Sequence, residues 1–150
     1  MGGREDTMAV IESSTVIERD IEDVFDYLVD LRSELEWNPG VESMAKLTDG
    51  PVGIGTRYLA KWKQSKRIEV ECVAFDRPRS WTYTNGGPVS VTFAVNLAPD
   101  PAGTRLVARF DARPHGWMRL AFPVFMLIMK RQERENMRNL KRALEEPARR

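Results

Sequence analysis

The stretch STVIERDIEDVFDYLVDL, residues 14–31, contains two different hydrophobic periods in immediate succession. From residue 9 to residue 19 the chain alternates β-branched and polar side chains, which is typical of a strand with one buried face. The residues predicted to share that face are Ile11, Ser13, Thr15 and Ile17. After Asp20 the apolar spacing changes to three and four, which predicts an amphipathic helix. The chain therefore opens with a strand that passes directly into a helix.

The predicted helix has a recognisable start and end. Asp20 is placed to cap its first turn, with Asp23 in part of the role of a capping box. The apolar pattern runs on to Trp37, and it fits either one helix or two short helices broken near Asp30. The sequence NPG at 38–40 ends it, because the residue before a proline disfavours helical backbone.

The middle of the chain consists of short β-type segments separated by turns. The segments are 41–48, 55–63, 67–75, 80–85, 89–98 and 105–113. Several of them alternate cleanly, so each predicted strand has one apolar face and one polar face. The connections are too short for parallel crossovers, which need a dozen residues or more, so we expect an antiparallel sheet.

A long helical pattern over 117–146 closes the chain. Its first part, WMRLAFPVFMLIM at 117–129, is apolar all round except at Arg119, and we expect it to be buried on every side as the back wall of a pocket. Thirteen residues are too few to cross a bilayer, which takes about twenty, but a peripheral membrane contact stays open. Pro123 is expected to start the main helix or to kink it. Farther along, Glu133 occupies one step of the apolar spacing.

Charge is distributed unevenly along the 150 residues, although the net charge is only +1. It is −9 over 1–50, +5 over 51–116 and +5 over 117–150. Complementary surfaces within one fold explain this pattern, and the alternative is a basic helix that meets an anionic membrane or a nucleic acid. A nucleic-acid partner is not expected, because phosphate-binding domains carry more positive charge.

Length and composition indicate one domain with ordinary globular character. We expect a flexible tail at 1–7, a single domain at 8–146 and a short tail at 147–150. One cysteine and one histidine leave no basis for a disulfide framework, a metal site or a cofactor. The opening MGGREDTM lacks the charged and apolar regions of a secretory signal, and with the lone thiol this favours a cytoplasmic location.

Large aromatic and methionine side chains lie on the predicted apolar faces and suit an adaptable hydrophobic ligand pocket. The candidate ligand-binding residues are Trp37, Tyr58, Trp62, Trp81, Tyr83, Phe93, Phe110, Met118, Phe122, Phe125 and Met129. The alternative is that the same residues simply fill a core. Trp37, beside the helix end, either gates a ligand or packs as a hinge.

Catalytic residues are not assigned from the sequence. His115 could form a site only with a carboxylate held nearby, and Asp111 and Arg113 share its predicted face, which we expect to be the solvent side. Cys72 lies among apolar residues of matching parity and is predicted to be a small core residue.

The order of elements and several short motifs resemble the START/polyketide cyclase superfamily, also called birch-pollen-allergen-like or helix-grip proteins. Besides the opening stretch, the motifs are WNPGV at 37–41, VGIGTRY at 52–58, FDRPRSW at 75–81, GTRL at 103–106 and the terminal LKRALE. One departure is Arg19-Asp20, where the family often has Ala-Pro. The resemblance covers residues 9–146.

This resemblance implies an α+β helix-grip fold: a curved seven-stranded antiparallel sheet wrapped around the long C-terminal helix, with two short helices after the first strand. It also implies an internal cavity that binds a hydrophobic small molecule or lipid, more in keeping with a non-catalytic binding protein than with an enzyme. Polyketide aromatase/cyclase chemistry, or a protein-interaction role resembling that of heat-shock ATPase activators, are the alternatives. The chain could act as a monomer or a homodimer.

Overall fold

One antiparallel sheet forms the framework of the protein in a computed structural model, which describes residues 9–63 and 65–146. Its strands are β1 (Ala9–Ile17), β2 (Val41–Lys46), β3 (Arg57–Trp62), β4 (Arg67–Asp76), β5 (Ser80–Asn85), β6 (Val89–Asp100) and β7 (Gly103–Pro114). Their order in the sheet is β1-β7-β6-β5-β4-β3-β2. The predicted antiparallel sheet is confirmed. The predicted tails at 1–7 and 147–150 lie outside the described residues.

Two short helices follow β1, as the family resemblance implied, so the apolar pattern at 21–37 is not one helix. They are α1 (Ile21–Leu28) and α2 (Glu34–Trp37), with a 3₁₀ turn at Leu31–Ser33 between them. The break falls at Val29 and Asp30, and the Asp30 carboxylate accepts a hydrogen bond of 3.0 Å from the backbone N–H of Arg32. This side-chain bond starts a new turn instead of continuing α1.

The predicted capping box at the start of α1 is wrong. Asp20 occupies the N-cap position with extended backbone, but its side chain makes no capping hydrogen bond. Asp23 instead pairs with Arg19, whose Nη2 lies 3.2 Å from the Asp23 Oδ2. The helix starts here through backbone bonding, since the N–H of Val24 donates to the carbonyl of Asp20 at 3.0 Å.

The long helix α3 (Met118–Glu145) lies against the sheet. Its last turns are fixed to the end of β1 by polar contacts. Arg19 Nη1 donates to the Leu144 carbonyl at 2.7 Å, and Lys141 Nζ donates to the Val16 carbonyl at 2.6 Å. These charged donors satisfy carbonyls that the helix end and the edge strand leave without partners.

The first half of α3 is not buried on every side, so that prediction is wrong. Phe122 and Met126 are buried against the sheet. On the opposite side the exposed fractions are 71% for Trp117, 89% for Leu120, 63% for Val124, 64% for Leu127 and 44% for Ile128. The sheet covers one side of the helix, and no other described element covers the second side.

Pro123 does not start the helix, because α3 already begins at Met118. The proline lies in the second turn, where it has no N–H to donate to the Arg119 carbonyl four residues earlier. The helix is nevertheless continuous from Met118 to Glu145.

The core consists of two apolar clusters, one under each half of α3. The larger one includes Ile17, Phe25, Trp81, Leu106 and Leu140, and it joins the sheet to α1 and the second half of α3. The smaller one is built from Ile11, Ala112, Phe122 and Met126 under the first half of α3.

Candidate functional site

The predicted ligand-binding residues divide between the two clusters. Tyr58, Trp81 and Tyr83 are buried in the larger cluster, against which Trp37, Trp62 and Phe93 are partly buried. Phe122 is buried in the smaller cluster, with Phe110, Phe125 and Met129 packed against it. Met118 is partly buried at the start of α3 and belongs to neither cluster. The rings of Phe93 and Phe110, 4.5 Å apart between centroids, connect the two groups across β6 and β7.

The buried tyrosines use their hydroxyls within the protein. Tyr83 donates to the Val29 carbonyl at 2.6 Å, and Tyr58 donates to Asp30 Oδ1 at 3.2 Å. Burial, together with the nearby Asp30 charge, raises the pKa of Tyr58 to about 12, and burial raises that of Tyr83 as well. The two side chains thereby attach the break between α1 and α2 to strands β3 and β5.

A polar pair lies between the two apolar clusters. On α3, Met126 belongs to the smaller cluster and Met137 to the larger one, with Glu133 between them. Glu133 is only 8% exposed, and its Oε2 accepts a hydrogen bond of 3.1 Å from the Ser13 hydroxyl on β1. A carboxyl group is therefore held inside the grip, where burial raises its pKa despite the opposing effect of the Ser13 bond.

A second carboxyl group, that of Glu34 at the start of α2, lies on the same side of the molecule. Burial raises the pKa of Glu34 from 4.5 to about 7. The Asn38 amide, which donates to Glu34 Oε1 at 3.2 Å, lowers this pKa but has the smaller effect. The charge of Glu133 raises the Glu34 pKa further, so the two groups sense each other across the space between α2 and α3. Near neutral pH, one of these carboxyls exchanges protons readily.

Two buried polar atoms without partners lie close to Glu34 in the sequence. The Ser33 hydroxyl and the Trp37 indole N–H, on either side of Glu34, have no hydrogen-bond partner among the described residues. Buried donors of this kind are normally satisfied in folded proteins, by protein groups, water or a ligand. The α2 segment therefore offers unused hydrogen-bonding capacity to a bound molecule. We name Ser13, Glu34, Trp37 and Glu133 the interior polar site.

Two clefts open beside α3, on either side of Glu133. The first has a volume of about 260 Å³, slightly below the roughly 300 Å³ at which ligand pockets begin. It lies between β1 and α3 and is lined by Ser13, Ser14, Thr15, Arg134, Met137, Arg138 and Lys141. The second, about 140 Å³, is lined by Asn38, Pro39, Gly40, Lys63, Gln132, Glu135 and Asn136. Ser13 lines the first cleft, and Asn38, whose side-chain amide donates a hydrogen bond to Glu34, lines the second.

The remaining sequence candidates for chemistry lie away from this site. The His115 side chain is exposed, with its Nε2 2.7 Å from the Ser90 hydroxyl, as expected for the solvent side. Cys72 is fully buried and burial raises the pKa of its thiol, so its prediction as a core residue is confirmed. Across residues 9–63 and 65–146, no three His, Cys, Asp or Glu side chains converge as metal ligands.

Sequence reasoning did not assign the interior polar site, apart from Trp37. It placed Ser13 on the buried face of β1 and noted Glu133 as an interruption of an apolar series. A charged residue at a core position is a signal for function, because burial of a carboxyl costs free energy unless something compensates. Glu34 carried no comparable signal, since it lies among other acidic residues at a helix start.

These elements define a helix-grip protein: a seven-stranded antiparallel sheet around a long C-terminal helix, with two short helices after β1. A sequence model of the family described as "Polyketide cyclase / dehydrase and lipid transport" matches residues 8–145. The chain belongs to this family. No curated protein matches it. Within the described residues, no helix is both long and apolar enough to cross a membrane.

Solved structures with the same fold are distant in sequence. The di-domain ARO/CYC StfQ from the steffimycin biosynthetic pathway is 16% identical, with a TM-score of 0.76; the alignment covers 98% of this chain and 53% of StfQ. The chain thus spans about half the length of that relative. Ara h 8.0201 is 15% identical with a TM-score of 0.68, over 91% of this chain and 97% of the other. A Staphylococcus aureus protein of unknown function, SA2116, is 12% identical with a TM-score of 0.70, over 95% and 97%.

Proposed function

We propose that the protein binds a hydrophobic small molecule or lipid that carries at least one hydroxyl or carbonyl group, between the sheet and α3. The observation that carries this proposal is the Ser13–Glu133 hydrogen bond, a part-buried polar pair that lies between two apolar clusters. The clusters accept the hydrocarbon part of the ligand, and the pair orients its polar group. Membership in a family associated with polyketide cyclisation and lipid transport supports this ligand class.

The ligand's polar group meets both donors and acceptors in the interior polar site. The Trp37 indole N–H donates to a carbonyl or hydroxyl oxygen, and Glu133 accepts from a hydroxyl. A ligand without polar groups leaves the Trp37 donor unsatisfied, which costs about 1 to 3 kcal/mol relative to a matched ligand. The site therefore selects amphipathic molecules over plain hydrocarbons.

The test combines native mass spectrometry of gently purified protein with titration of Nile red, a neutral apolar probe. We expect a co-purified ligand that solvent extraction removes, and probe binding that this ligand displaces. Glu133→Leu should weaken ligand retention about tenfold or more, the equivalent of one lost buried hydrogen bond. The matched control Glu12→Gln alters an exposed carboxylate on the outer face of β1 and should change nothing. Protein that never carries a ligand and never binds the probe contradicts the proposal.

A second candidate function is polyketide aromatase/cyclase chemistry. It is favoured by the two interior carboxyls, Glu34 and Glu133, because burial raises the pKa of both and brings that of Glu34 to about 7. Conversion of a synthetic poly-β-keto thioester is expected to fall about a hundredfold in Glu34→Gln. If the protein does not change the products that the thioester forms spontaneously, this function is excluded. The ligand-binding proposal is not affected by that result.

A further inference from the structure

The outward side of the first half of α3 is a continuous apolar surface, which we name the apolar face. It is formed by Trp117, Leu120, Val124, Leu127 and Ile128. Their spacing of three and four places them on one side of the helix, opposite Phe122 and Met126. The sheet cannot reach this side, and no other described element packs on it. Five exposed large apolar side chains in twelve residues are unusual for a surface without a partner.

Exposed arginines continue along the same side of α3. Helical spacing puts Arg131, Arg134, Arg138 and Arg142 in line with the apolar face, toward the C-terminus. None of the four forms an ion pair with any of the residues that the structure describes, although arginines elsewhere in the fold commonly do. Glu135 is an exposed carboxylate on this side, so the row is strongly but not purely basic.

From these observations we propose that α3 docks on an anionic lipid surface, with the apolar face inserted at the interface and the arginine row on the phosphate headgroups. Interfacial helices combine an apolar side that includes Trp and Leu with adjacent Lys and Arg. Each basic side chain near such a surface adds to the attraction. The inference rests on the outer side of α3 and does not require the proposed ligand site.

Charge decides between lipid and a second copy of the chain. A second copy could cover the apolar face symmetrically, but that pairing would set its own arginine row against this one, with only Glu135 as an exposed carboxylate on this side of α3. An anionic membrane satisfies both parts of the surface at once. The apolar face also lies on the reverse side of the helix turns that carry Phe122 and Met126, so docking places the smaller cluster next to the lipid.

Vesicle flotation tests the proposal with the full chain. We expect binding to vesicles that contain phosphatidylserine and at least about tenfold weaker binding to pure phosphatidylcholine. Raising the salt from about 0.1 M to about 1 M shortens the screening length from roughly 10 Å to 3 Å and should release most of the protein. Absence of flotation with either vesicle overturns the proposal.

Variants of α3 test whether this helix makes the contact with the vesicle. We expect two double variants to reduce flotation at least about tenfold, Leu120→Ser/Leu127→Ser and Arg131→Gln/Arg142→Gln. The melting temperature of both should be unchanged, because these side chains are exposed. The matched controls are Ile54→Ser, whose side chain is 71% exposed in the β2–β3 loop, and the exposed Lys66→Gln. Flotation that the α3 variants leave unchanged overturns the proposal. So does a dimer in light scattering that the leucine variants dissociate while the protein does not float.

Nile red titration distinguishes a failure of the docking surface from a failure of the proposed ligand site. Nile red titration of the α3 double variants should match the native protein if the interior polar site works independently. Loss of flotation with retained probe binding supports the docking surface. Weaker ligand retention in Glu133→Leu with retained flotation supports the ligand proposal and shows that docking does not depend on the interior polar site.

Discussion

The hydroxyl oxygen of Ser13 and the Oε2 of Glu133 lie 3.1 Å apart across the space between β1 and α3. The two residues are 120 positions apart in the chain, and Glu133 interrupts the apolar series with which α3 packs on the sheet. A buried carboxyl with one hydrogen-bond donor costs free energy that a leucine at the same position would avoid. The proposed ligand gives a reason for a carboxyl group at this position.

Removing the polar pair should raise stability while it lowers binding. In the double variant Ser13→Ala/Glu133→Leu both polar groups are replaced together, so no donor is stranded. We expect the free energy of unfolding to rise by about 1 kcal/mol or more, as for other buried charged groups replaced by apolar ones. Urea denaturation and Nile red titration measure the two effects. Lower stability would mean that the pair has a purely structural role.

Glu34 should make stability depend on pH. In the folded protein its carboxyl keeps a proton up to about pH 7, whereas in the unfolded chain it loses the proton near 4.5. Between these values the folded state binds more protons, so the free energy of unfolding falls as pH rises, and it levels off above about pH 7. The total fall is on the order of 3 kcal/mol.

The measurement for Glu34 is urea denaturation at about pH 5 and about pH 8. In Glu34→Gln, most of the fall in the free energy of unfolding between these two pH values should be absent, because the amide does not titrate. The variant Glu12→Gln, at an exposed position, should keep the fall. An unchanged pH slope in Glu34→Gln would show that the carboxyl is solvated in the folded protein.

Tyr83 should contribute stability through its hydroxyl. Tyr83→Phe leaves the ring in place but removes the 2.6 Å bond to the Val29 carbonyl in a site where Tyr83 is 2% exposed. The expected cost is about 1 to 2 kcal/mol. Tyr27→Phe, which removes an exposed hydroxyl bond to Glu36, is the control and should cost less than about 0.5 kcal/mol. Equal costs for the two would contradict the role assigned to Tyr83.

Gly103 should not tolerate a side chain. Its φ is +143°, and a Cβ at this position would lie 2.2 Å from the Ile17 carbonyl oxygen of β1. Relief of that contact requires movement of backbone at the β1–β7 edge, so Gly103→Ala should cost on the order of 3 kcal/mol. Gly53→Ala is the control, since nothing lies within 4 Å of its Cβ. A melting temperature that falls no more than in the control would contradict this close approach.

Local patterns predicted most of the fold. The alternation at 9–19 placed Ser13 and Ile17 on one face of β1, and the apolar spacing after Asp20 predicted either one helix or two short helices broken near Asp30. Both signals depend on neighbours in the chain, which the sequence displays directly. The predicted capping box failed in both parts, since the Asp20 side chain makes no capping bond and the Asp23 carboxylate pairs with Arg19, a choice of partner that residue types alone do not resolve.

The sequence by itself determined the element order, the antiparallel sheet, the apolar faces of the strands and the likeness to helix-grip proteins. Only the tertiary structure decided that Ser13 meets Glu133, that Glu34 approaches the same space, and that Leu120 and Leu127 stay exposed. The physical reason is that periodicity shows which side chains share a face, but a segment that is apolar all round has no distinguishable face. Which side becomes buried then depends on what the distant sheet can cover.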